Sequence, residues 1–175
     1  MKLFRNIAIL LVFSLFITGC ATKESDEALG YSRQEIMFAE MMIPHHQQAI
    51  EMSDLALRSS QNPEILKLAE QIKRAQEPEI DFMKSWPGVD GEAHMGHAMM
   101  GMLDDEEMDS LRTATGKAFD SLFLNGMIEH HEGAIDMAGM ILESSNPKVA
   151  ELAISIINSQ TEEIKFMKKL LADLK

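Results

Sequence analysis

From Ser32 onward, apolar residues recur every three or four positions, the spacing that lines one face of an α-helix. Ser32-Arg33-Gln34-Glu35 has the form of a capping box and opens the first predicted helix, whose apolar positions run to Leu57. Ser59-Ser60-Gln61-Asn62-Pro63 breaks the pattern, with Asn62 placed to cap a second helix and Pro63 to begin it. That helix is predicted to kink at Pro78 and to stop at Trp86-Pro87-Gly88. Residues 89–102 carry no amphipathic period. Asp104-Asp105-Glu106-Glu107 marks another start, Gly116 is expected to break or bend that helix, and the pattern then continues to about Glu143. Asn146-Pro147 opens a last helix that reaches the C-terminus. No stretch alternates with a period of two, so the predicted fold is all-α.

The chain repeats itself. Phe38–Ser60 aligns without a gap to Phe123–Ser145: Phe38, Met42, Ile43, His45, His46, Ala49, Ile50 and Met52 recur as Phe123, Met127, Ile128, His130, His131, Ala134, Ile135 and Met137. One residue is missing from the second turn. Beyond it Gln76, Glu79-Ile80 and Phe82-Met83-Lys84 match Gln160, Glu163-Ile164 and Phe166-Met167-Lys168. Two helical hairpins, each unable to bury its apolar face alone, imply a four-helix bundle. Its parts are repeat 1 (32–85), a linker (86–103) and repeat 2 with a short extra helix at its start (104–175).

At 100° per residue, His45 shares a stripe with Phe38, Ala49 and Met52, while His46 shares the neighbouring stripe with Met42 and Ile50. Both histidines therefore face the interior in two different directions. The second helix should bring Gln76 and Glu79 to the level of His45, and Gln160 and Glu163 to that of His130. A buried layer of His, Gln and Glu is the result, with Met42 and Met83 close by. Such a layer is either a hydrogen-bonded core network that fixes register, or a set of metal ligands.

The linker adds chemistry that packing does not require. His94-Met95-Gly96-His97-Ala98-Met99-Met100-Gly101-Met102 holds two histidines and four methionines in nine residues, broken by two glycines. An ordinary loop would use Ser, Asn, Asp or Pro. Thioether and imidazole suit copper, above all Cu(I), with Cu(II) also served by His. Zinc makes little use of Met, and a haem attachment motif is absent from the sequence.

The N-terminus bears on location. Lys2 and Arg5 precede an apolar run from Ile7 to Ile17 that is short for a membrane span. Ile17-Thr18-Gly19-Cys20 resembles the lipobox of bacterial lipoproteins, which implies a signal peptide (1–19), lipidation of Cys20, a tether (20–31) and a lipid-anchored place in the cell envelope. Cys20 is the one cysteine in the chain, so lipidation would leave no thiol. The net charge of −12, or −14 without the leader, repels nucleic acid and favours cations.

Met-Ile-x-His-His-x-x-Ala-Ile-x-Met (42–52 and 127–137), followed by Gln-x-x-Glu-Ile-x-x-Met (76–83 and 160–167), resembles the bacterial exported domain-of-unknown-function family numbered 305. The resemblance spans residues 32–173. It implies a ferritin-like four-helix bundle and copper binding linked to copper tolerance. By position it implies ligands among Met42, His45, His46, Met52 and Met83, and among Met127, His130, His131, Met137 and Met167. His94, Met95, His97, Met99, Met100 and Met102 share the family's Met/His-rich character, and Gln76, Glu79, Gln160 and Glu163 stand as supporting residues or ligands. The expected function is non-catalytic: buffering, sequestering or transferring copper outside the cytoplasm, with a copper exporter or oxidase as partner. A ferritin-like di-metal redox enzyme is the alternative, although no Glu-x-x-His lies on the motif helices. A metal-free structural or interaction module at the envelope is the other.

Overall fold

A computed structural model describes residues 30–96 and 99–174. The leader, Cys20, most of the tether, and His97 lie outside the described residues. Five helices occur in order: α1 (Arg33–Ser59), α2 (Pro63–Lys84), α3 (Asp105–Thr113), α4 (Gly116–Gly139) and α5 (Pro147–Asp173). No strand occurs among the described residues, and none of their helices is long and apolar enough to cross a membrane.

The local signals behave as their chemistry requires. The Ser32 and Asp104 capping boxes both close, with Glu35 and Glu107 returning a hydrogen bond to the cap backbone. Asn62 and Asn146 cap α2 and α5, each with proline directly after. The chain breaks at Ala114-Thr115 rather than bending, and Gly116 begins α4 in a left-handed conformation (φ +56°). Pro78 lies within α2, as Pro44 does within α1. α4 ends four residues before the predicted Glu143. The backbone there tightens to i→i+3 bonds, Met140 to Met137 and Ile141 to Ala138, which still buries Ile141. The predicted tether also ends sooner: Tyr31 stacks on buried Trp86 at 4.7 Å and belongs to the domain.

α1 packs along α2, α4 packs along α5, and the hairpins join mainly through α1 and α4. Two pseudo-equivalent latches cross that junction. Ser60, in the first hairpin's turn, donates to the buried carboxylate of Asp120 at 2.6 Å. Ser144, in the second hairpin's turn, donates to Glu35, the residue that corresponds to Asp120 in the repeat. Ser60→Ala would leave the buried Asp120 carboxyl group without its hydroxyl partner. It is expected to lower stability by about 1–3 kcal/mol, read from urea midpoints.

The core falls into two apolar clusters. One is built from Phe38, Met42, Met83, Met137 and their neighbours, the other from Met52, Phe123, Met127, Met167 and theirs. Along α1 and α4 the histidine pairs lie between the two clusters; along α2 and α5, Gln76 and Gln160 do so.

Candidate metal centre

The four histidines occupy the middle of the bundle with no solvent exposure. Their divergence along each helix sends them to different partners. His46 Nε2 donates to Glu79 Oε2 at 2.8 Å, and His131 Nε2 donates to Glu163 Oε2 at 2.7 Å, each within its own hairpin. His45 and His130 instead meet across the α1–α4 junction, ring centroids 3.7 Å apart and planes tilted by 39°. His130 Nε2 donates to the His45 carbonyl at 3.0 Å, and His45 Nε2 to the Met100 carbonyl at 3.1 Å.

Two expectations are corrected. The second histidine of each pair, not the first, reaches the partner helix, because the first is turned toward the opposite hairpin. Gln76 and Gln160 are buried at this level but do not satisfy the histidines: both amide atoms of Gln76 and Oε1 of Gln160 lack a partner. The methionines divide differently as well. Met42 and Met83 join Met137 from the other hairpin, while Met127 and Met167 join Met52. Each half of the motif thus contributes to a cluster shared by both hairpins, a consequence of antiparallel helices crossing at their midpoints.

The hydrogen bonds also fix the tautomers. A carbonyl oxygen, or an ionised carboxylate, can only accept, so each Nε2 carries the proton. Burial, reinforced by the neighbouring imidazoles, pushes the pKa of His45 down to about 3 and that of His130 well below its ordinary value, so both rings are neutral. Nδ1 is then an unprotonated lone pair on both. All four Nδ1 atoms are buried without a partner. Native interiors rarely leave such atoms unpaired. With the Gln76 and Gln160 oxygens they form an excess of electron-pair donors between two clusters that hold six buried methionines, a set that suits a soft cation. Among the described residues, no group of three or more His, Cys, Asp or Glu side chains is arranged to hold a metal, so the thioethers would have to complete any coordination there.

Glu79 and Glu163 are 15% and 19% exposed, and each holds a buried ring from the bundle's edge. A carboxylate on the far nitrogen orients a histidine ligand and raises its basicity. Glu79→Ala is expected to weaken binding of a soft monovalent cation by roughly 10–100-fold, measured by competition titration, with the helical spectrum unchanged.

The linker is seated on this layer through its backbone. Gln48 donates to the Leu103 carbonyl and accepts from the Leu103 N–H, both at 2.8 Å. Gly101 (φ +80°) lies against Gly133 of α4, where a side-chain carbon on either would overlap the facing backbone. Gly126 leaves room for Leu103, since a Cβ there would come within 3.0 Å of it. The linker side chains are placed differently: Met95 and Met100 point outward, 56% and 61% exposed, and His94, Met99 and Met102 are half-buried. The linker thus offers surface thioethers above a buried imidazole layer, two populations that its composition does not distinguish.

Fold and site define an all-α bundle of two fused hairpins around a buried histidine–methionine layer. The chain belongs to the DUF305 family, a domain of unknown function whose pattern matches residues 35–171. It is similar to CopM in a Cu(II)-bound form, with 39% identity over 81% of this chain and 97% of that one (TM-score 0.70). CopM in a Cu(I)-bound form matches at 38% identity over 79% and 96% (TM-score 0.67). A candidate secreted DUF305 protein from Streptomyces coelicolor matches at 34% identity over 81% and 93% (TM-score 0.73). The uncharacterized protein L153 of Acanthamoeba polyphaga mimivirus is 42% identical over 57 residues, and the chain spans 38% of its length.

Proposed function

We propose that this protein binds copper without catalysing a reaction, and buffers, sequesters or transfers it outside the cytoplasm. The observation that carries the reading is the set of four buried Nδ1 atoms without partners, two of them on neutral rings 3.7 Å apart and all between two methionine clusters. A purely structural network would satisfy both nitrogens of each ring; here Nδ1 is left over. The copper-bound states of CopM, at 38–39% identity, support the choice of metal.

His45 and His130 would supply Nδ1, with Met42, Met52, Met83, Met127, Met137 and Met167 as the available thioethers. His46 and His131 would be held for the same use by Glu79 and Glu163. Thioethers favour Cu(I) over Cu(II). The linker's Met95, Met99, Met100 and Met102, with His94 and His97, would supply further ligands for the ion. The S. coelicolor relative, a candidate secreted protein, supports a place outside the cytoplasm, and lipidated Cys20 would tie the domain to the envelope beside a copper exporter or oxidase.

Titration of the purified protein with Cu(I) against a competing chelator tests this. The expected dissociation constant is far below micromolar, and replacing both His45 and His130 with Leu should weaken it by about 100-fold or more, beyond the loss of a supporting partner. Affinity no tighter than micromolar would sink the reading.

A further inference from the structure

The same fold position is occupied twice, once in each repeat, and the two copies are lined by different chemistry. Beside the first half of α4, Leu122 and Asn125 face Leu103 in a groove of about 180 Å³. The corresponding groove beside α1 is larger, about 490 Å³, and presents Met37 and Glu40, the counterparts of Leu122 and Asn125, together with His94 from the linker. Tyr31 and Arg33 complete its wall.

We infer that this α1 groove is a second, surface site for a soft monovalent cation, with the Met37 thioether and the His94 imidazole as donors and the Glu40 carboxylate as counter-charge. The inference rests on the reading of the protein as a soft-metal binder and adds residues outside the buried layer. Met37 is 44% exposed, and Met95, next to His94, is 56% exposed. A thioether left in water gains nothing from packing there, whereas it is a good ligand for a soft d10 ion. The groove is also pre-shaped. Glu40 Oε1 accepts from the Asp90 N–H at 3.1 Å, which pins the linker over α1. Tyr31 stacks on Trp86, which Phe82 meets edge-on at 5.5 Å, so the adjoining wall is packed by aromatic rings. An imidazole has two nitrogens, so a ring held through one still offers the other. A single carboxylate with thioether and imidazole excludes hard cations such as Ca²⁺ and Mg²⁺, which need several oxygens. Arg33 lies in the same wall, and this disfavours a divalent ion more than a monovalent one.

The repeat supplies its own control. Met37→Leu with Glu40→Asn gives the first groove the residues that the second already tolerates, so the variant is expected to fold. Metal-free protein carrying ¹³C-labelled methionine methyls is titrated with Ag(I) and followed by NMR. The Met37 methyl is expected to shift, and the double variant to take up one equivalent fewer while the Met42 and Met127 methyls still respond. If those interior methyls shift and Met37 stays fixed to saturation, or the variant keeps its full uptake, the surface site is wrong and the copper reading stands. If no methyl shifts, both fail.

Discussion

Metal-free protein is expected to lose stability between pH 6.5 and pH 4.5, at least about 2 kcal/mol from His45 with a further loss from His130. His45 has a folded pKa of about 3 and His130 one well below 6.5, because burial penalises the charged ring. In the unfolded chain both titrate near 6.5. Above pH 6.5 neither state binds these protons, and below it the unfolded chain takes up two that the native state refuses. Stability therefore falls as pH falls, at up to roughly 1.4 kcal/mol per pH unit for each histidine. With total stabilities of about 5–15 kcal/mol for domains of this kind, the loss is large. Urea midpoints at pH 6.5, 5.5 and 4.5 measure it. His130→Gln should halve the slope, whereas a flat profile would mean that the rings charge freely in the native state.

Gly133→Ala is the second large effect, and here two forces oppose each other. In a helix interior the change should stabilise by about 1 kcal/mol. At Gly133, however, the new methyl overlaps the Met100 carbonyl oxygen, and backbone cannot swing aside as a flexible side chain would. Overpacking of this sort costs about 1–3 kcal/mol, so the net change is expected to be destabilising. Displacement of Met100 would also release the hydrogen bond that holds His45 Nε2–H. Gly139→Ala, with open space around it, is the comparison and should be neutral or mildly stabilising. Urea unfolding of the two variants separates the explanations: if Gly133→Ala also stabilised the protein, the linker would not be seated where the structure puts it.

The contrast between the repeats shows what the sequence could convey. Helical period, Asn-Pro starts and the duplication were sufficient for the bundle, since each is a local signal or a direct match. The repeat also located the buried histidine layer, and 100° spacing separated His45 from His46. The chain by itself did not reveal how the hairpins are set against each other. Helix–helix contact across the junction pairs His45 with His130, and it mixes Met137 with Met42 and Met83. Exchange of partners between hairpins leaves no trace in the spacing within either one. Gln48 against Gly133 and Met41 against Gly126 look like free variation between the copies. They are where a single linker must be seated on a two-fold arrangement: one copy supplies an amide clamp, the other supplies room. That signal was present as broken symmetry, but without the linker's path it had no meaning. His97 and Cys20, both outside the described residues, stay as the sequence left them.

The central claim is that the buried imidazoles bind copper through Nδ1. Its most direct measurement is ¹⁵N NMR of the histidine side chains in metal-free protein and in protein loaded with Ag(I), a closed-shell stand-in for Cu(I). The metal-free spectrum should show His45 and His130 as Nε2–H tautomers with pyridine-like Nδ1, and loading should shift those Nδ1 resonances strongly while Nε2 stays protonated. Metal taken up with both Nδ1 resonances unmoved, or bound at Nε2, would contradict it.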